Sequence, residues 1–98
     1  MVNMYSEFSL QAVGQRLEKL RGALGFDAQS GMAKFIGVPT NTYNNWVNSV
    51  SLIRPQDAIV LCAKTGVTLD WIYRGDPSGL PMKFATLSDD PPTTRKKA

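Results

Sequence analysis

Gln29-Ser30-Gly31-Met32-Ala33-Lys34-Phe35-Ile36-Gly37-Val38-Pro39-Thr40-Asn41-Thr42-Tyr43-Asn44-Asn45-Trp46 is the stretch whose spacing decides the fold. Met32, Ala33, Phe35 and Ile36 recur at helical steps. Gly37 then tolerates the positive φ that ends a helix, and Val38 can plug the corner. Pro39 suits the start of a second helix. On that helix Tyr43, Trp46 and Val47 fall three or four residues apart and are predicted to face inward. Thr40, Asn41, Thr42, Asn44, Asn45 and Asn48 are left outward or flanking. The pattern describes two short helices joined by a tight turn, the second with a polar and uncharged outer face.

Upstream, Leu10, Val13, Leu17, Leu20 and Leu24 mark an amphipathic helix, with Gln11, Gln15, Arg16, Glu18, Lys19 and Arg21 between them. Ser6 or Ser9 is expected to cap it, Gly25 to end it, and Asp27 to cap the helix that begins near Gln29. Downstream, residues 48–54 have no helical period and read as a loop. Pro55 suits a first helical residue, and Ala58, Ile59, Leu61, Cys62 and Thr65 form the expected inward stripe of the next helix, closed by Gly66. Thr68 is placed to cap a short last helix over Leu69-Asp70-Trp71-Ile72-Tyr73, which Gly75 stops. Five helices are predicted. Beyond them, Asp76 to Pro81 is turn-rich, and Met82 to Leu87 alternates enough to suggest a short strand or arm. The resulting division is an N-terminal extension at 1–9, a helical domain at 10–76, an arm at 77–88, and a basic tail at 89–98 too polar to be ordered.

At 98 residues, with 43% hydrophobic and 19% charged residues, one folded domain is expected. The formal charge of +3 leans toward an anionic partner, but Arg95, Lys96 and Lys97 supply much of it. There is no histidine, and Cys62 is the only cysteine. Neither a tetrahedral zinc site nor an internal disulfide is therefore expected, and Cys62 reads as a small buried hydrophobe. No catalytic residues, metal, cofactor or small-molecule ligand are expected, because paired carboxylates, a phosphate-cradling glycine loop and a metal-ligand cluster are all missing from the pattern. No apolar run approaches the roughly 20 residues needed to span a bilayer. A cytoplasmic, nucleoid-associated location in a bacterial or phage-infected cell is the expectation.

The order of helices, the two glycine-valine junctions at Gly37-Val38 and Gly66-Val67, and the Leu69-Asp70-Trp71 motif together resemble the phage-repressor and Cro-type (XRE-like) helix-turn-helix family over roughly residues 10–76. The resemblance implies an all-α, five-helix, lambda-repressor-like bundle whose second motif helix enters the major groove of DNA. It implies a phosphate contact at Gln29. Thr40, Asn41, Thr42 and Asn45 would face base edges or neighbouring phosphates, Asn44 would touch either strand, and Tyr43 would be structural. Two departures stand out. Val47 occupies a position where the family often has a glutamate paired with the arginine matching Arg21, so Arg21 must find another carboxylate or reach solvent. Ser49 replaces a common glycine, in a loop to Pro55 that looks a residue or two longer than usual.

Asparagine pairs bidentately with adenine in the major groove, so Asn41, Asn44 and Asn45 favour adenine-containing sites. With Asn48 they form a reading face over residues 39–48, flanked by Lys34 and Arg54. Several asparagines on one short helix need a reason, because asparagine is a poor helix former and an exposed face is more cheaply solvated by other residues. Few cations on the face imply weak binding by one copy, which a homodimer on a palindromic operator would remedy. Trp71, Ile72, Tyr73, Met82 and Phe84 are the candidate dimerisation residues. The leading expectation is a sequence-specific transcriptional regulator, a repressor above all. The alternative is a protein-interaction module such as an antitoxin that keeps the fold but holds a partner protein.

Overall fold

The computed structural model describes residues 9–87, so the expectations for residues 1–8, for residue 88 of the arm and for the tail at 89–98 lie outside the described residues. Within them the chain is all-helical: α1 (Leu10–Leu24), α2 (Gln29–Ile36), α3 (Thr40–Val47), α4 (Pro55–Thr65), α5 (Leu69–Arg74), and two 3-10 segments at Pro77–Gly79 and Met82–Leu87. This is the expected five-helix bundle.

Helix ends follow the local chemistry. Ser9 caps α1, its Oγ accepting the Ala12 N–H at 3.0 Å, and Thr68 caps α5 by accepting the Trp71 N–H at 2.9 Å. Left-handed glycines close α1, α2, α4 and α5 at Gly25, Gly37, Gly66 and Gly75. Asp27 does not cap α2. Ala28 holds the N-cap position without a side-chain bond, and the Asp27 carbonyl accepts from Arg21 Nη1 at 2.8 Å. The helix start has thus moved one residue past the aspartate.

One core gathers Val13, Leu17 and Leu20 from α1, Met32, Ala33 and Ile36 from α2, Tyr43 and Trp46 from α3, Ile53 from the loop, Ala58 and Leu61 from α4, and Trp71 and Ile72 from α5. Burying each large apolar side chain contributes about 2 kcal/mol before conformational entropy is subtracted. Three apolar residues depart from expectation. Leu10 is exposed at the edge of α1, and Ile59 lies 56% exposed because α4 turns only its Ala58, Leu61 and Thr65 side to the bundle. Cys62 is half-buried, not buried. Conversely, Arg16, counted among the polar residues of α1, is 1% exposed and donates from Nη1 to the Ile72 carbonyl at 3.0 Å.

The strand suggested for Met82–Leu87 is a 3-10 segment. The segment kinks at Phe84 (φ −109°, ψ 16°), and both Phe84 and Leu87 are buried against the bundle. Met82, which a strand would place on the same face as Phe84, is 88% exposed.

Candidate nucleic-acid interface

The turn between α2 and α3 is closed by two backbone bonds to one carbonyl: the N–H groups of Gly37 and Val38 meet the Ala33 oxygen at 2.8 and 3.0 Å. Gly37 has φ 98°, which only glycine adopts without strain. Beyond the turn, Pro39 sits just before α3 with extended ψ, so its missing N–H costs no helical bond. Tyr43 and Trp46 meet edge to face, with ring centroids 6.0 Å apart, and both are buried. They fix the inner side of α3 against α1 and α2.

Opposite them, Thr40, Asn41, Asn45 and Asn48 are exposed, and Thr42 and Asn44 are partly so. Asn44 Nδ2 reaches the Thr40 carbonyl only at 3.4 Å, a weak bond that leaves its amide available. α3 carries no charged residue. Gln29 is the first residue of α2 and half-buried, while Lys34 is exposed in its last turn. Arg54 precedes α4 and is ion-paired through Nε to Asp57 at 2.9 Å, although its side chain remains 59% exposed. Trp71 and Ile72 are fully buried and Phe84 nearly so, which withdraws all three from any surface open to a second copy. Of the proposed dimerisation set, Tyr73 and Met82 remain outward; Tyr73 is half-covered, its hydroxyl donating to the Ile53 carbonyl at 2.6 Å.

The sequence reading missed several residues that hold this interface. Gly14 is buried where α1 meets the end of α3. A Cβ there would lie 2.6 Å from the Trp46 carbonyl oxygen and 3.0 Å from that of Val47. Arg21 has found its carboxylate one turn back on its own helix: Nε and Nη2 bind Glu18 at 3.0 and 2.8 Å. The Tyr43 hydroxyl donates to the same carboxylate at 2.8 Å. Arg21, first, and then Tyr43 hold the Glu18 carboxyl below the ordinary carboxylate range against the opposing effect of burial. Burial, followed by the bond to Glu18, pushes the Tyr43 phenol far above its ordinary value. Lys64 donates to the Phe35 carbonyl at 2.8 Å and lies over the Phe35 ring at 5.0 Å, securing the end of α2 to α4. The i, i+3 spacing of Glu18 and Arg21 was the available signal; nothing local marked Gly14 or Lys64.

α3 ends differently from the other four helices. Ser49 has φ 64°, and the next two N–H groups, of Val50 and Ser51, both turn back to the Asn45 carbonyl at 2.9 and 3.2 Å. The backbone keeps the glycine-type stop that the family resemblance led one to expect, with serine in the left-handed position.

Among the described residues no group of histidine, cysteine, aspartate or glutamate is arranged to hold a metal, and no helix is long and apolar enough to cross a membrane. Two helices joined through Gly37, the second anchored by Tyr43 and Trp46 and presenting an uncharged polar stripe, define a helix-turn-helix unit set in a helical bundle. The chain belongs to the bacteriophage CI repressor helix-turn-helix domain family, whose model matches residues 15–78. It is a regulator of the DNA-binding class. No curated protein and no solved structure matches the chain.

Proposed function

We propose that the protein is a sequence-specific repressor that binds a palindromic operator as a homodimer and reads it with the outer face of α3. The observation that carries this reading is the division of α3 into a fully buried aromatic side and an exposed stripe of Thr40, Asn41, Asn45 and Asn48. Asn41 and Asn45 are the adenine readers, with Thr40, Thr42, Asn44 and Asn48 supporting them at bases or sugar-phosphate. Gln29, at the N-terminus of α2, contacts a phosphate, where the helix dipole adds attraction. Lys34 and Arg54 flank the face; Arg54 does so while sharing its charge with Asp57. Two copies would place their α3 helices about 34 Å apart, one turn of DNA. With Trp71, Ile72 and Phe84 in the core, the surface left for a second copy is the outward edge of α5 around Leu69 and Tyr73, together with Met82.

Selection of bound sequences from a randomised duplex pool tests the reading. The expected outcome is an adenine-containing palindrome, lost when Asn41→Ala and Asn45→Ala are combined. Binding should also weaken steeply with salt, because each neutralised phosphate releases counterions. Recovery of nothing above background, or affinity indifferent to salt, would favour the protein-interaction alternative. Sedimentation at high micromolar concentration should show a dimer with operator DNA present; a monomer throughout would remove the palindrome argument.

A further inference from the structure

On the buried side of α3 the Tyr43 hydroxyl reaches back to α1, donating to Glu18 Oε2 at 2.8 Å and to the Leu17 carbonyl at 3.3 Å. Glu18 is in turn held by both Nε and Nη2 of Arg21. The remaining guanidinium nitrogen, Nη1, donates to the carbonyls of Phe26 and Asp27 at 2.9 and 2.8 Å, in the short link that ends just before α2. Gln29 follows two residues later, and its side chain also favours the charged form of Glu18. One arginine and one carboxylate therefore tie α1 to the start of α2 and to the middle of α3, the two places that face DNA in the reading above.

We propose that Glu18, Arg21 and Tyr43 are positioning residues for DNA recognition: a polar clamp on α1 that sets the roll of α3 and the placement of Gln29. The proposal rests on the DNA-binding reading and adds the residues that make its geometry accurate. Val47 removes any carboxylate from the end of α3, and the clamp supplies an acceptor from α1 to a donor on α3. Roll matters because a turn of about 20° at a helix radius of about 5 Å carries a side-chain amide nearly 2 Å, outside hydrogen-bond tolerance. Apolar packing of Tyr43 and Trp46 resists translation of α3, but a hydroxyl bonded in one direction fixes rotation. Phosphate contacts tolerate such a shift better than bidentate base contacts, so the clamp governs discrimination more than total affinity.

The test uses the full chain, the selected duplex and a random duplex of equal length. Tyr43→Phe deletes only the hydroxyl, and Glu18→Gln keeps the shape while removing the charge; circular dichroism establishes that each is folded. The ratio of affinities for selected over random DNA should fall roughly fivefold in each, the loss expected for one hydrogen bond, while the salt slope stays at the wild-type value. Gln29→Ala provides the contrast: it should weaken both duplexes alike and leave their ratio at the wild-type value. An unchanged ratio in both folded clamp variants overturns the proposal, as does an equal loss on both duplexes. Wild-type protein with no salt-dependent binding to either duplex overturns the DNA reading itself, and is recognised before any variant is compared.

Discussion

The inner and outer sides of α3 are built on opposite terms. Inside, Tyr43 and Trp46 have almost no exposed surface, and Gly14 brings the α1 backbone so close that no side chain fits between the helices. Outside, the four polar residues Thr40, Asn41, Asn45 and Asn48 are exposed. The contrast separates what keeps the helix in place from what it presents. Changes inside should cost stability first, whereas changes outside should leave the fold intact and alter binding alone.

The hardest way to break the inner side is Gly14→Ala. The added methyl meets two backbone carbonyls that cannot rotate away, and we expect a loss of about 3 kcal/mol or outright failure to fold, measured by urea denaturation. The outer side answers differently. Asn41→Ala combined with Asn45→Ala should raise stability by up to about 1 kcal/mol, since alanine is the better helix former, while preference for the selected duplex falls by about 2 kcal/mol. Loss of stability in that variant would show that the stripe is structural after all.

The boundary between the two sides is sharpened at Ser49, which adopts φ 64° where α1, α2, α4 and α5 end on glycine. Ser49→Gly should stabilise the fold by about 1 kcal/mol by relieving a left-handed residue, and Gly37→Ala should lose a similar amount. Both are read from the denaturation midpoint. The smallest effect lies in pH. Arg21 and Tyr43 depress the Glu18 pKa below its ordinary 4.5, so the stability it adds is present above about pH 4.5 and is lost as pH falls through the lower folded value. The midpoint should drop over that acid range in the wild type and less in Glu18→Gln.

Most of the architecture was legible because the signals are local. Gly37, Gly66 and Gly75 stop helices through their own φ, and Thr68 caps α5 three residues ahead. The polar stripe of α3 was equally plain from its spacing. What escaped depends on distant partners. Arg16 looks like a solvated residue until the Ile72 carbonyl, 56 positions on, is brought to it. Gly14 is one glycine in an amphipathic helix until α3 crosses it. Trp71 and Ile72 carry the same apolar signal whether they face a core or a second copy, and only the packing of α1, α4 and the segment after α5 decides between the two. Met82–Leu87 misled because a six-residue segment is too short for period two and period three to be told apart.

The Arg16 bond to Ile72 also limits how the molecule can be cut. It stitches α1, before the motif, to α5 at the far end of the bundle, so removing either helix breaks a buried bond of the guanidinium. A fragment ending at Gly66 would retain every proposed DNA-reading side chain and yet lose that acceptor together with Trp71 and Ile72. The reading helix is therefore not a transplantable cassette; grafting its stripe onto another scaffold means carrying over the angle at which this bundle holds it.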